Sequence, residues 1–197
     1  MKTNIVSLLL VGLLAFASAA QAQSVTDVLA KLPADEAAQG TPLIAQLVKM
    51  GPPATVELCK MIIAPGKGDD SKARFALHGM ALHVMRADAQ AERQMFETAL
   101  LQGLAASADP LARTFIINQV QLVGKADSVA PLGKLLGDAD LCEPAAQALL
   151  EIRTGAAEQF RAALGAAKGK NLVTIVHALG MLADKESAAA ILPLTGS

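Results

Sequence analysis

Between Asp109 and Asp138 the apolar positions recur with the period of a helix, twice over. Leu111, Phe115, Ile116, Val120 and Val123 form one stripe, and Gly124 ends it. Val129, Leu132, Leu135 and Leu136 form a second, closed by Gly137-Asp138. Asp109-Pro110 opens the unit. Asp is a favourable N-cap, and Pro in the first turn gives up only an N–H that has no helical partner. The spacing therefore predicts a two-helix hairpin.

The same stripe returns 30 residues later, and again after another 30. Leu111 falls on Leu141, Phe115 on Ala145 and Ile116 on Ala146. Ala145 then falls on Ile175, Ala146 on Val176, Leu149 on Leu179 and Ile152 on Leu182. A repeat of this length built from two helices points to stacked hairpins. One hairpin is too thin to bury its own apolar faces, so its neighbours complete the core.

Flanking segments read in the same way. Ser24 to Leu32 is expected to form a short helix capped by Ser24 or Thr26. A helix near 35–50 is expected to kink or split at Gly40-Thr41-Pro42. Gly51-Pro52-Pro53 reads as a turn before a helix from Ala54 to Ile63. Pro65-Gly66-Lys67-Gly68-Asp69-Asp70 reads as a loop. Further helices are expected over 71–86, 87–105, 141–153, 156–167, 171–183 and 185–192.

The strings ASADPLARTFIINQVQLVG (106–124) and LLGDADLCEPAAQALLEI (135–152) resemble short bacterial HEAT-type repeats. That pattern has a leucine pair, an Asp in the turn, an Arg in the next helix and an Ala/Leu-rich run ending near Gly. Arg113 fills the Arg position, and Glu143 and Val173 replace it in the next two copies. The resemblance implies an all-α fold, a right-handed α-α superhelix (a HEAT-type α-solenoid) of about five hairpins. The repeats lie near 35–64, 71–105, 109–137, 140–168 and 170–194. It implies a scaffold role and carries no chemistry of its own.

Composition narrows the function. Of 197 residues, 53% are apolar, only 3% are aromatic, and neither Trp nor Tyr is present. Such a chain suits small-residue helix packing and is poor material for strands. Formal net charge is −1 without a long basic run, which argues against nucleic-acid binding.

Residues 1–22 have the form of a signal peptide: Lys2, an apolar run from Ile5 to Ala17, and Ala20-Gln21-Ala22 as a small-x-small cleavage site. Cleavage between Ala22 and Gln23 is expected, leaving a periplasmic or extracellular solenoid over 23–197. No second apolar run is long enough to span a membrane.

Candidate chemistry is sparse. His78 and His83 are five apart and point away from one another on a helix, whereas a helical metal pair needs a spacing of three or four. No His-Glu dipeptide is present, so the metal hydroxylases built on this fold are not matched. Gly66 and Gly68 lack the Gly-Lys-Ser/Thr ending of a phosphate loop. No metal site, cofactor or catalytic group is expected. Cys59 and Cys142 fall in the first and fourth hairpins, roughly 25–30 Å apart over three layers. A disulfide needs Cα atoms within about 7 Å, so both thiols should be free.

The second helices of the hairpins are expected to form one long face. Arg93, Glu97, Lys134, Gln159 and Arg161 are its candidate contacts for a protein partner, with Arg93 and Glu97 positioned to pair on an exposed helix face. The alternative is a helical accessory segment of a longer secreted enzyme or cytochrome. The last hairpin carries Ala188, Ala189, Ile191 and Leu192 without a polar stripe. Either the chain continues past it or this end pairs with a second copy. Mass spectrometry of the exported protein should read an N-terminus at Gln23; intact Met1 in the cytoplasm would contradict the export reading.

Overall fold

The computed structural model describes residues 23–33 and 37–196. The expected signal segment, with Ala22, lies outside the described residues, and so do Asp35 and Glu36. Gln23 is described, and its side-chain oxygen accepts a hydrogen bond from Gln46 Nε2 at 2.7 Å. Among the described residues there are eleven α-helices, one closing 3₁₀ turn and no strand. No described helix is long and apolar enough to cross a membrane.

The helices are α1 (Val25–Leu29), α2 (Ala37–Lys49), α3 (Pro52–Lys60), α4 (Ser71–Val84), α5 (Gln90–Ala106) and α6 (Pro110–Val123). They continue with α7 (Ala126–Gly133), α8 (Cys142–Ile152), α9 (Ala156–Leu164), α10 (Gly169–Met181) and α11 (Ala188–Ile191). Local chemistry sets several of the starts. Ser24 and Asp27 form a reciprocal capping box on α1. Asp109 Oδ1 accepts from Ala112 N–H at 2.8 Å and caps α6. Asp138 Oδ1 accepts from Leu141 N–H at 3.1 Å just before α8.

Three local expectations are corrected. Gly40-Thr41-Pro42 does not split its helix: α2 runs through Pro42 without a break. Pro52 and Pro53 are not a turn but the first two residues of α3, where their missing N–H groups have no helical partner to lose. The closing helix expected over Lys185–Leu192 shrinks to the single turn α11, and 3₁₀ geometry continues through Pro193 to Gly196. Proline there removes the N–H that a longer α-helix would need.

Two rows of helices result. In one row α2 packs on α4, α4 on α6, α6 on α8 and α8 on α10. In the other α3 packs on α5, α5 on α7 and α7 on α9. From α2 onward the principal contacts join helices one or two apart in the chain. One continuous apolar core runs between the rows, from Val25 to Leu179. The positions equivalent at a spacing of 30 share it: Ile116 and Ala146 are buried, as are Ala145 and Ile175, and Leu149 and Leu179. Gln119 takes the slot of those leucines in the earlier copy and is also buried. Its amide nitrogen donates to Phe115 O at 3.3 Å, and its oxygen faces His78 Nδ1 at 3.3 Å. These partners offset the cost of placing an amide there.

Small residues allow the rows to close. A Cβ on Gly103 of α5 would lie 2.6 Å from both Cβ and Sγ of Cys59 on α3, so the two helices touch backbone to side chain at this point. Cys59 and Cys142 are both free and buried. Burial pushes the Cys59 thiol up to about 12 and raises that of Cys142, with Glu143 adding to the latter. The thiolate is the reactive form. Alkylation at pH 8 should therefore be slow at Cys59 in the folded protein. In urea without reductant it should be complete at both positions. Labelling that requires prior reduction would contradict free thiols.

Candidate functional site

The five residues expected to share a contact face are divided by the fold into three settings. Arg93 and Glu97 sit near the start of α5, beside the turn that joins α6 to α7. Such a turn leaves carbonyls at the end of one helix and N–H groups at the start of the next without helical partners. Arg93 Nε donates to Val123 O, the last carbonyl of α6, at 2.7 Å. Glu97 Oε1 accepts from Lys125 N–H at 2.8 Å and from the Ser128 hydroxyl at 2.6 Å. Lys125 is the N-cap of α7, and Ser128 its third residue. The arrangement works like a capping box whose acid comes from another helix.

This corrects the expectation for α5. Glu97 is only 2% exposed, so it does not lie on a solvent-facing surface. It does not pair with Arg93, because both side chains are drawn across to the α6–α7 turn by its orphaned backbone groups. Arg161 is likewise committed within the chain. Its guanidinium pairs with Asp184 in the α10–α11 turn, and with Glu186 at 3.3 Å and Glu158 at 3.8 Å. Asp184 in turn accepts from Ser187 N–H at 3.1 Å. Both arginines thus hold turns that come later in the chain.

Lys134 and Gln159 behave differently, and the fold does bring these two together. They line a groove of about 460 Å³ between the end of α7, the outer side of α9 and the start of α10. Lys168 and Asn171 complete its polar rim, and alanines of α9 and the turn after it, among them Ala163 and Ala167, make its apolar wall. None of the residues lining it is acidic. Lys134 and Lys168 are exposed, and neither ammonium pairs with a carboxylate among the described residues.

Other side chains fix the groove's floor. Asn171 Nδ2 donates to Leu136 O at 3.3 Å and to Asp138 O at 3.1 Å, which holds the start of α10 against the α7–α8 turn. The Gln159 carboxamide lies against Gly133, where a Cβ would overlap it. Its amide has no hydrogen-bond partner among the described residues. The first turn of α10 lacks a side-chain cap, which adds partial positive character to the same corner.

No protein-family model matches the chain. No curated protein matches it either.

Among the described residues no group of three or more His, Cys, Asp and Glu side chains is placed to hold a metal ion. His78 faces Gln119 and His83 faces the Arg86 guanidinium. Burial and that guanidinium both hold the His83 imidazole below its ordinary range. A second groove, of about 510 Å³, is lined by Arg86, Arg93 and Lys125 but also by Glu97 and Asp127, so its charge is mixed.

The role assigned to Glu97 is directly measurable. Glu97→Ala leaves the Lys125 N–H and the Ser128 hydroxyl without their buried acceptor, a loss of roughly 1–3 kcal/mol. Urea denaturation should show a lower midpoint for this variant, while Gln102→Ala, further along the same helix, should leave it unchanged. Equal midpoints for all three proteins would remove Glu97 from the structural role.

Proposed function

We propose that the chain is an exported, non-catalytic scaffold: a HEAT-type α-solenoid that binds a protein partner through the α7–α9–α10 groove. The solenoid reading is supported by the 30-residue period and by principal contacts that, from α2 onward, join helices one or two apart in the chain. In such a stack each repeat adds surface without closing the molecule on itself, which leaves grooves between successive second helices available to partners.

One observation carries the assignment of the groove. Arg93, Glu97 and Arg161 are spent on the chain's own turns. Lys134, Lys168 and the Gln159 amide are not, and they converge on one apolar-walled hollow. Unspent polar groups around an apolar wall are the usual composition of a recognition site.

Photo-crosslinking tests this reading. A photoreactive residue replacing Gln159 should capture a partner in the cells that export the protein, and the same residue replacing Met95 on α5 should not. Reversing Lys134 and Lys168 to glutamate should abolish the Gln159 adduct. Equal capture from both positions, or robust turnover by the purified protein in a broad hydrolase screen, would contradict a groove-binding scaffold.

A further inference from the structure

We propose that the groove recognises an acidic, partly aliphatic peptide segment of its partner, with carboxylate side chains set over Lys134 and Lys168. This rests on the scaffold reading and adds the chemistry of the bound segment. The groove's charge is complementary to such a segment. Two exposed ammonium groups face the groove, no lining residue is acidic, and the uncapped start of α10 adds to the same sign. The neighbouring groove near Arg93 lacks this property, since two acids line it.

Shape and hydrogen bonding favour a peptide over a simple anion. At about 460 Å³ the groove is far larger than one phosphate or acetate, and its wall of Ala163, Ala167 and neighbouring alanines has nothing to offer an inorganic ion. An aliphatic side chain of an extended peptide would bury against that wall. The Gln159 amide has one donor end and one acceptor end, and a peptide backbone presents the complementary pair. Its contact with Gly133 holds the amide at the groove wall. Lysines act as point charges without the two-pronged geometry of arginine, so aspartate and glutamate should both be accepted. A nucleic acid would need more cations and stacking aromatics than the groove offers.

The test uses the purified protein and three labelled hexapeptides, in which leucine alternates with glutamate, glutamine or lysine. Fluorescence anisotropy should show binding of the glutamate peptide. That binding should weaken from about 0.1 M to about 1 M salt as the screening length falls from roughly 10 to 3 Å. Lys134→Glu with Lys168→Glu should weaken it roughly tenfold or more, and should create affinity for the lysine peptide. Reversal of Lys60 and Lys67, exposed elsewhere, should leave it unchanged. Because all four lysines are on the surface, matching circular dichroism spectra will show that the variants fold.

Glutamate-peptide binding that survives reversal of Lys134 and Lys168 would overturn the proposal. So would equal binding of the glutamine peptide. If the glutamine or lysine peptide alone binds, and Ala163→Arg blocks it, the acidic chemistry fails and the groove scaffold stands. If no peptide binds and Gln159 captures no partner, both readings fall.

Discussion

No hairpin in this chain can bury its own apolar stripe. A pair of short helices covers one side of each stripe and leaves the other facing outward, and only the next pair along can cover it. That constraint explains why the strongest packing runs along each row, α3 on α5 and α6 on α8, rather than within the α6–α7 hairpin itself. It also explains the composition. Backbone-close contacts such as Gly103 against Cys59 need small side chains, and a chain rich in alanine with 3% aromatic residues supplies them.

Stacking brings a second requirement. Every turn between helices carries carbonyls and N–H groups that helix geometry cannot satisfy. Where the turn's own residues do not suffice, a side chain from another helix reaches over. Arg93 and Glu97 do this for the α6–α7 turn, whereas Arg161 holds Asp184, the α10–α11 turn's own carboxylate, which itself accepts from Ser187 N–H. Asn171 works in the opposite direction, from α10 back to the α7–α8 turn. Along the first row, Glu143 of α8 accepts from Gln147 and from Thr174 of α10. These bonds hold its carboxyl below the ordinary range. Lys134, Lys168 and Gln159, which take no part in this fastening, line the groove beside Asn171, which does, so fold and candidate function draw on one inventory of side chains.

Much of the helical pattern was legible in the sequence because it is local. Asp109-Pro110 announces α6, the 30-residue recurrence places α8 and α10, and Lys134 and Gln159 follow from the second helices. What was not legible depends on contacts between helices distant in the chain. A glutamate on a helix reads as solvent-facing until the turn it caps, about 30 residues away, is folded beside it; Glu97 is that case. Gln119 was invisible for the same reason, a polar residue in a leucine slot whose partners come from α4 and its own helix. Lys168 belongs to a Lys-Gly-Lys sequence that reads only as a turn, and its meeting with Lys134 requires α7, α9 and α10 to be stacked in order.

The central claim is that stacking order, and it is measured most directly as distance. His78, Gln147 and His177 are exposed on α4, α8 and α10 of the same row. Spin labels at cysteines placed there report separations by double electron–electron resonance. With roughly 8–10 Å per layer, Gln147 and His177 should lie one step apart, His78 and Gln147 two steps, and His78 and His177 about 25–30 Å. A His78–His177 distance no longer than the Gln147–His177 distance would mean that the chain folds back on itself, and would contradict the stack.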